Sequence, residues 1–334
     1  MLRSPAARAA LALLLLLLTA CAGATGASDT TPTASATATA TDSPTAADSP
    51  TAAASGGFPV TVEAANGAVT IDAPPEAIVS LSPTATEMLF AIDAGEQVVA
   101  ADSFSNFPSQ APTTDLSASE PNVEAIAGYA PDLVVFGDDP GDLGSALEEL
   151  DIPALSLPAA ATLDDTYDQI TQLGTATGHA DSATALVERM RDDIDKIVGD
   201  APSAAAAAPT FYHELDDTYF SVTSKTFIGQ LYDMLGLRNI ADDASTNAGD
   251  YPQLSSEFIV DADPDLIFLA DTKCCAQSAE TVARRPGWEQ LTAVTSDGVV
   301  PLDDDVASRW GPRVVDLLQN IADAVETHGG ATTP

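Results

Sequence analysis

Basic side chains are scarce in this 334-residue chain. Lysine occurs at Lys196, Lys225 and Lys273 only, and Lys plus Arg total 12 against 50 Asp plus Glu, for a formal net charge of −38. That sign excludes non-specific nucleic-acid binding, which needs a basic face to displace counterions. It does not imply a cationic ligand: acid spread in Asp-Asp pairs along surface helices and loops reads as solubility in a salty habitat. Histidine is equally rare, at His179, His213 and His328. None lies in a His-x-x-x-His pattern, and the chain has no Cys-x-x-Cys, no phosphate-cradling glycine loop and no Gly-x-Ser-x-Gly elbow. Catalysis therefore finds no nucleophile, base or metal cluster. A binder of bare zinc or manganese would need several converging His and carboxylate ligands, which three scattered histidines do not supply. His179, beside Gly178, reads as a surface or capping residue, and His213 as a structural strand-edge residue that could face a cleft.

Long apolar runs are also lacking, with one exception at the N-terminus. Arg3 and Arg8 precede Ala9–Leu18, a leucine-dominated run, and Leu18-Thr19-Ala20-Cys21 follows. About 10 apolar residues cannot span some 30 Å of hydrocarbon, so 1–20 read as a signal peptide, not a membrane helix. Small residues before Cys21 form a lipobox, which predicts cleavage there and diacylglycerol on the thiol. The mature chain is then expected at the outer face of the cell membrane, held only by lipid. Residues 21–57 are Ala, Thr, Ser and Pro with a few Asp. Such a segment cannot bury enough apolar surface to offset its ordering entropy and reads as a disordered tether.

Cysteine is limited to Cys21, Cys274 and Cys275. Adjacent cysteines outside the cell can close a strained vicinal disulfide. That reading is preferred for Cys274 and Cys275 over free thiols, and over a metal site lacking further ligands.

Folded sequence begins near Phe58. Alternating apolar residues around Asn66-Gly67 predict a β-hairpin over 58–76. Short β-rich runs then alternate with helical segments over 77–161: Ala77–Leu81, Gln97–Ala101, Leu133–Phe136 and Ile152–Leu157 as strands. Pro83 and a Thr84/Glu87 capping box are read as starting the first helix. This alternation predicts an α/β lobe with a mostly parallel sheet and helices on both faces. Residues 162–200 are helical in pattern, broken only at Gly178. Leu186, Met190, Ile194 and Ile197 form an apolar stripe suited to a spine helix between lobes.

Residues 208–328 repeat the first lobe. The segment from Val123 through Glu124 and Pro131-Asp132-Leu133 to Phe136 aligns with that from Ser256 through Glu257 and Pro264-Asp265-Leu266 to Leu269, at a constant offset of 133. Each copy reads as a short helix carrying a glutamate, then Pro-Asp-Leu, then an apolar strand. Two similar three-layer lobes on one spine leave a cleft. The scarce aromatics fall where loops leave predicted strands: Phe104 and Phe107, Phe220, Tyr251, and Trp310 beside Arg309. Ligands of open α/β sheets bind outside the carboxyl ends of strands. Aromatic faces there suit a large, flat, partly apolar ligand, and Arg309 could pair with its carboxylate or phosphate.

Four stretches carry a resemblance over about Ala77–Ala324: Ile78-Val79-Ser80-Leu81-Ser82-Pro83-Thr84-Ala85-Thr86-Glu87; Asn122-Val123-Glu124-Ala125-Ile126 with Pro131-Asp132-Leu133-Val134-Val135; Thr226-Phe227-Ile228-Gly229 with Leu235-Gly236-Leu237-Arg238-Asn239-Ile240; and Ser308-Arg309-Trp310-Gly311-Pro312-Arg313. In order and spacing the chain is similar to the iron-siderophore and cobalamin periplasmic binding proteins of ABC importers. The resemblance implies two lobes rigidly joined by a spine helix, little opening on release, a monomer, and an importer permease with its ATPase as partners. It also implies that Glu124 and Glu257 dock into arginine pockets of that permease. Phe107, Phe220 and Tyr251 fall where the cobalamin-binding branch carries aromatics. That branch has a tryptophan shortly before the first-lobe glutamate helix, where this chain reads Asp115-Leu116-Ser117-Ala118-Ser119-Glu120. Ferric siderophore, cobalamin-like corrinoid and haem all stay open as cargo. The expectation is capture and delivery of a metal chelate carrying iron or cobalt, with no intrinsic cofactor and no turnover. An enzyme or chelatase-like protein on the same architecture, and an adhesion scaffold, are the rivals.

Overall fold

The computed structural model describes residues 57–201, 208–244 and 249–328. Cys21, the signal peptide and nearly all of the tether lie outside these residues.

A two-stranded antiparallel hairpin, β1 (Val60–Ala64) and β2 (Gly67–Ile71), comes first. Its turn residues are Ala65 and Asn66, one place earlier than the sequence pattern suggests, with Gly67 at φ 106° opening the return strand. The hairpin docks by its turn. Asn66 Nδ2 donates to the Ala154 carbonyl, and Asn66 Oδ1 accepts from the Ser156 N–H.

Then follow β3 (Ile78–Leu81), α1 (Pro83–Ala91), β4 (Val98–Ala101), α2 (Val123–Ala127), β5 (Leu133–Phe136), α3 (Leu143–Glu148) and β6 (Ala154–Ser156). The long helices α4 (Leu163–Thr177) and α5 (Ala180–Asp200) come next. Gly178 separates them at φ 81°, the left-handed conformation that ends a helix without Cβ strain. The second module is β7 (Thr210–Glu214), α6 (Phe227–Met234), β8 (Arg238–Asn239), α7 (Ser256–Ala262), β9 (Leu266–Leu269), α8 (Ala279–Ala283), α9 (Thr292–Thr295), β10 (Val299–Pro301), α10 (Asp304–Ser308) and α11 (Val314–His328).

The repeat is visible in the pairing. The first sheet runs β4-β3-β5-β6 and the second β8-β7-β9-β10, all parallel, which is one topology twice. The Pro-Asp-Leu motif has a physical role in each copy. Asp132 Oδ2 accepts from the backbone N–H groups of Glu76 (2.8 Å) and Ala77 (3.1 Å), just before β3. Asp265 Oδ2 accepts from the Thr210 N–H (2.8 Å) and hydroxyl (2.9 Å), at the start of β7. Each aspartate thus sets its strand against the lobe's first strand.

Both sheets are covered on two faces, so β3, β5, β6, β7 and β9 are buried along their length, while β4, β8 and β10 at the edges are partly exposed. Ile78, Leu133 and Val135 in the first sheet, and Phe211, Leu266 and Phe268 in the second, point into one apolar cluster. The α5 stripe of Leu186, Met190, Ile194 and Ile197 belongs to that same cluster, with Leu317 and Ile321 of α11. The alternate residues form local cores: Val79, Leu81, Val134 and Phe136 with α2 and α3, and Tyr212, Ile267 and Leu269 with Trp288. The architecture is therefore two three-layer α/β lobes fused through a shared inner core along the spine.

The first helix differs from its expected cap. Ser82, not Thr84, is the N-cap: its Oγ accepts from the Ala85 N–H, and Pro83 occupies the first helical turn. Glu87 lies too deep in the helix to cap it and is buried instead.

Asp132→Ala and Asp265→Ala should each lower unfolding stability by about 1–3 kcal/mol, because two donors lose their acceptor. The loss should be larger at the less exposed Asp265. Urea denaturation monitored by far-UV circular dichroism measures both.

Candidate functional site

The carboxyl ends of the two sheets meet. From the first lobe, the loop after β4 carries Phe104, Asn106 and Phe107. From the second, the loop after β9 carries Lys273, and the segment after β10 carries Asp303–Arg313. Asp305 Oδ2 accepts from both Asn106 Nδ2 (3.1 Å) and Lys273 Nζ (2.7 Å), so one carboxylate joins both lobes. A recess of about 410 Å³ opens at the ends of β3, β5 and β6. Leu81, Pro83, Ala118, Ser119 and Asp138 line it from the first lobe, and Trp310 closes it from the C-terminal segment.

Of the aromatics singled out in the sequence, Phe104 and Phe107 stand on the loop after β4 and Trp310 on the segment after β10, whereas Phe220 follows β7 and Tyr251 follows β8. Phe104 is 70% exposed, Tyr251 53%, Phe107 43% and Phe220 36%. Among the described residues only Tyr129 joins them as an exposed aromatic. Phe220 and Tyr251 are brought together: Phe220 bridges to Gln253, and the Ser221 N–H donates to the Pro252 carbonyl. Water-facing aromatic rings lose apolar stabilisation, roughly 1.5–3 kcal/mol for each that could be fully covered. Trp310 is half-buried and fixed at both ends. Its Nε1 donates to Gln169 Oε1 (2.9 Å), and its carbonyl accepts from Thr166 Oγ1 (2.9 Å). The larger cavity, about 540 Å³, lies among α4, α5 and α6 and holds none of these aromatics.

Arg309 is a correction. It is 8% exposed, and its guanidinium is taken by protein partners, so it does not present itself to a ligand. Nη1 donates to Glu87 Oε1 (2.7 Å), and Nη2 donates to the Phe104 carbonyl (2.9 Å) and Asp305 Oδ1 (2.7 Å). Arg313 donates to the same Glu87 carboxylate through Nε (2.9 Å) and Nη2 (2.5 Å), and its guanidinium lies 4.2 Å from the Phe107 ring centroid. Sequence reasoning passed over Glu87 and Arg313 as functional residues. One signal was available: a lone carboxylate inside the otherwise uncharged helix Pro-Thr-Ala-Thr-Glu-Met-Leu-Phe-Ala.

Cys274 and Cys275 lie on the loop after β9, with their sulfurs 2.7 Å apart. His213 is buried in the core, with Nδ1 2.8 Å from the Tyr232 hydroxyl; burial lowers its pKa to about 4, so it is neutral and structural. His179 is the N-cap residue of α5.

Beneath the second-lobe loops lies a buried acidic pair. Glu214, at the end of β7, accepts two hydrogen bonds from Arg285, each 2.6 Å. Asp271, two residues beyond β9, is fully buried, and neither carboxylate oxygen has a partner among the described residues. Burial, then the neighbouring Glu214, pushes Asp271 up to about 7. The arrangement serves structure and offers no nucleophile in a cleft.

Glu124 and Glu257 are exposed and occupy the same place in their lobes. Each is in the first turn of a short helix whose N-cap side chain, Asn122 or Ser255, accepts from the backbone three residues on. Among the described residues there is no group of three or more His, Cys, Asp or Glu able to hold a metal, and no helix long and apolar enough to cross a membrane.

Two fused α/β lobes whose strand ends converge on a recess closed by Trp310, with exposed aromatics on the neighbouring strand-end loops, have the form of a solute-binding protein. The chain belongs to the periplasmic binding protein family, whose model matches residues 78–306. It is 31% identical over 275 residues to a cobalamin-binding protein of Halobacterium salinarum, covering 80% of this chain and 74% of that protein. It is 28% identical over 277 residues to a Bacillus subtilis protein described as an ABC transporter substrate-binding lipoprotein, YvrC, covering 80% and 86%. The fold also matches the solved periplasmic vitamin B12-binding protein BtuF of Vibrio cholerae, with TM-score 0.62 and 22% identity over 77% of this chain and 99% of that one. The chain is thus a periplasmic binding protein, and it shares its fold with one that binds vitamin B12.

Asp271 makes stability depend on pH. Its folded pKa, about 7, exceeds its ordinary value of 3.8, so the folded state retains a proton that the unfolded chain releases. Stability should fall as pH rises from about 4 to about 7, and Asp271→Asn should flatten that fall. Thermal melts of both chains from pH 4 to 9 measure it; parallel curves would contradict it.

Proposed function

We propose that this protein captures a corrinoid of the cobalamin type in the cleft between its lobes and delivers it to an ABC importer. The carrying observation is the set of water-exposed aromatics on the strand-end loops, Phe104, Phe107, Phe220 and Tyr251. A large ring-shaped chelate would cover several of them at once. The relatives named for cobalamin and vitamin B12 favour a corrinoid over the other chelates. The tryptophan expected before α2 is absent, and the small Ala118 and Ser119 line the recess there. Trp310 supplies an indole to that recess from the other lobe and takes the missing ring's place. The metal ion is part of the cargo, and the protein contributes the walls.

Glu124 and Glu257 are the docking points on this reading. Exposed carboxylates at matching positions on twin lobes fix orientation at two separated contacts and speed encounter with a basic permease surface. Lipid on Cys21 would keep the carrier beside its importer, with residues 22–57 as the leash.

Thermal-shift measurement against cyanocobalamin, a ferric hydroxamate, a ferric catecholate and haem tests the cargo. Cyanocobalamin at 100 times its Kd should raise Tm by about 5–10 °C. A shift with another chelate and none with the corrinoid overturns the assignment. Phe107→Ala should weaken capture about tenfold. For docking, the double variant Glu124→Ala/Glu257→Ala should abolish uptake in a reconstituted importer while cargo affinity is unchanged; equal loss of affinity would show the glutamates to be misassigned.

A further inference from the structure

The buried carboxylate of Glu87 is more than the cleft reading requires. It is 3% exposed and lies in α1, the helix that follows β3. The repeat supplies an internal comparison. Glu87 lies five residues after the N-cap Ser82; five residues after the matching N-cap Thr226 lies Leu231, 1% exposed in the shared apolar core. The same module therefore folds with an apolar side chain at this helix position. A buried ion pair gains little net stability over apolar packing, because both partners lose their hydration. The carboxylate at this place specifies a geometry.

We infer that Glu87 is a positioning residue for the cargo recess: through Arg309 and Arg313 it holds Trp310 and Phe107 in place before cargo arrives. The chain of contacts is continuous. Glu87 accepts from Arg309 Nη1, Arg313 Nε and Arg313 Nη2. Trp310 lies between those two arginines in the sequence and lines the recess; α4 holds its indole N–H and carbonyl through Gln169 and Thr166, and the arginines on either side set the backbone that brings the ring to them. Arg313 carries its charge over the Phe107 ring at 4.2 Å, and Arg309 holds the Phe104 carbonyl. The base of the Phe104–Phe107 loop has a separate anchor, the buried hydroxyls of Thr86 and Ser105. Glu87 thus governs the C-terminal segment and the outward ring, not the root of the loop. Holding these groups in advance lowers the ordering cost of capture. That purpose rests on the cleft reading above; the positioning itself does not.

The two tryptophans make the test selective. Trp310 lines the recess, whereas Trp288 is fully buried in the second lobe's local core. Acrylamide quenching of the full chain without cargo, compared with the Trp310→Phe chain, separates their signals. Glu87→Gln should raise the Trp310 quenching constant at least twofold and red-shift its emission, while Trp288 stays unchanged. Glu87→Asp, which keeps the charge, should restore part of the protection. Unchanged Trp310 quenching in a folded variant overturns the inference, as does an equal rise at both tryptophans, which would mean general loosening. If neither variant folds, the carboxylate is a fold requirement, and the inference falls on that result too. Affinity for whichever panel chelate the wild type binds should fall about tenfold in Glu87→Gln. If the wild type binds none, the cargo assignment fails while the quenching result still decides this one.

Discussion

The shared inner core is the constraint on which the rest of the molecule depends. Each sheet buries one face in a local core, and the other face contributes to one cluster that runs from Ile78 and Leu133 through the α5 stripe to Phe211 and Leu266. Interiors packed at crystal-like density do not deform continuously. Opening the lobes widely would expose this cluster, at about 25 cal/mol for every Å² of apolar surface. A carrier so built presents a cleft whose shape is largely set before its cargo arrives. Glu124 and Glu257 stand exposed in the first turns of the matching helices α2 and α7 of its two lobes.

The electrostatics add a second tie at the mouth of the cleft. Glu87, Arg309, Arg313, Asp305, Asn106 and Lys273 form one network across it. Most of its charges are shielded from water, so salt screens them less than the surface pairs elsewhere on the chain. Exposed pairs such as Lys196–Asp200 contribute little by comparison. The apolar core fixes the lobes along the spine, and the ionic network ties them at the strand-end loops.

Much of the architecture was legible in the sequence because it rests on periodic and local signals. The strands announced themselves by apolar runs, the helix break by Gly178, and the duplication by Pro-Asp-Leu recurring at a fixed offset. The pairing of those strands into one repeated topology follows from that duplication. What was not legible depends on side chains that meet only after folding. Arg309 read as a ligand-binding cation because it precedes Trp310 on a strand-end loop, yet its partners Glu87 and Asp305 lie 222 and 4 residues away. Glu87 read as a capping residue because Thr84 precedes it by three, but Ser82 and Pro83 had already set the helix start. Asp271 and Glu214 gave no pattern at all: their interaction arises where the ends of two neighbouring strands come together.

Charge scarcity sharpens the reading of the network. With 12 basic residues among 50 acidic ones, most carboxylates on this chain must stay hydrated and unpaired. Those drawn into the interior need a cation, or else favour a proton, as Asp271 does with its pKa pushed up to about 7 by burial and Glu214. Glu214 takes Arg285, whereas Glu87 takes Arg309 and Arg313. Arg309 is shared with Asp305, so Arg313 completes the balance of a cluster in which Glu87, Asp303 and Asp305 face Arg309, Arg313 and Lys273. The other contact of Arg313 is the face of Phe107, a ring left open to solvent. A cation held there by a buried counter-charge keeps the ring's outer face free for a partner. The same arginine that balances the cluster between the lobes therefore also lies against an exposed aromatic, so the ring's position is tied to the ionic contact between the lobes.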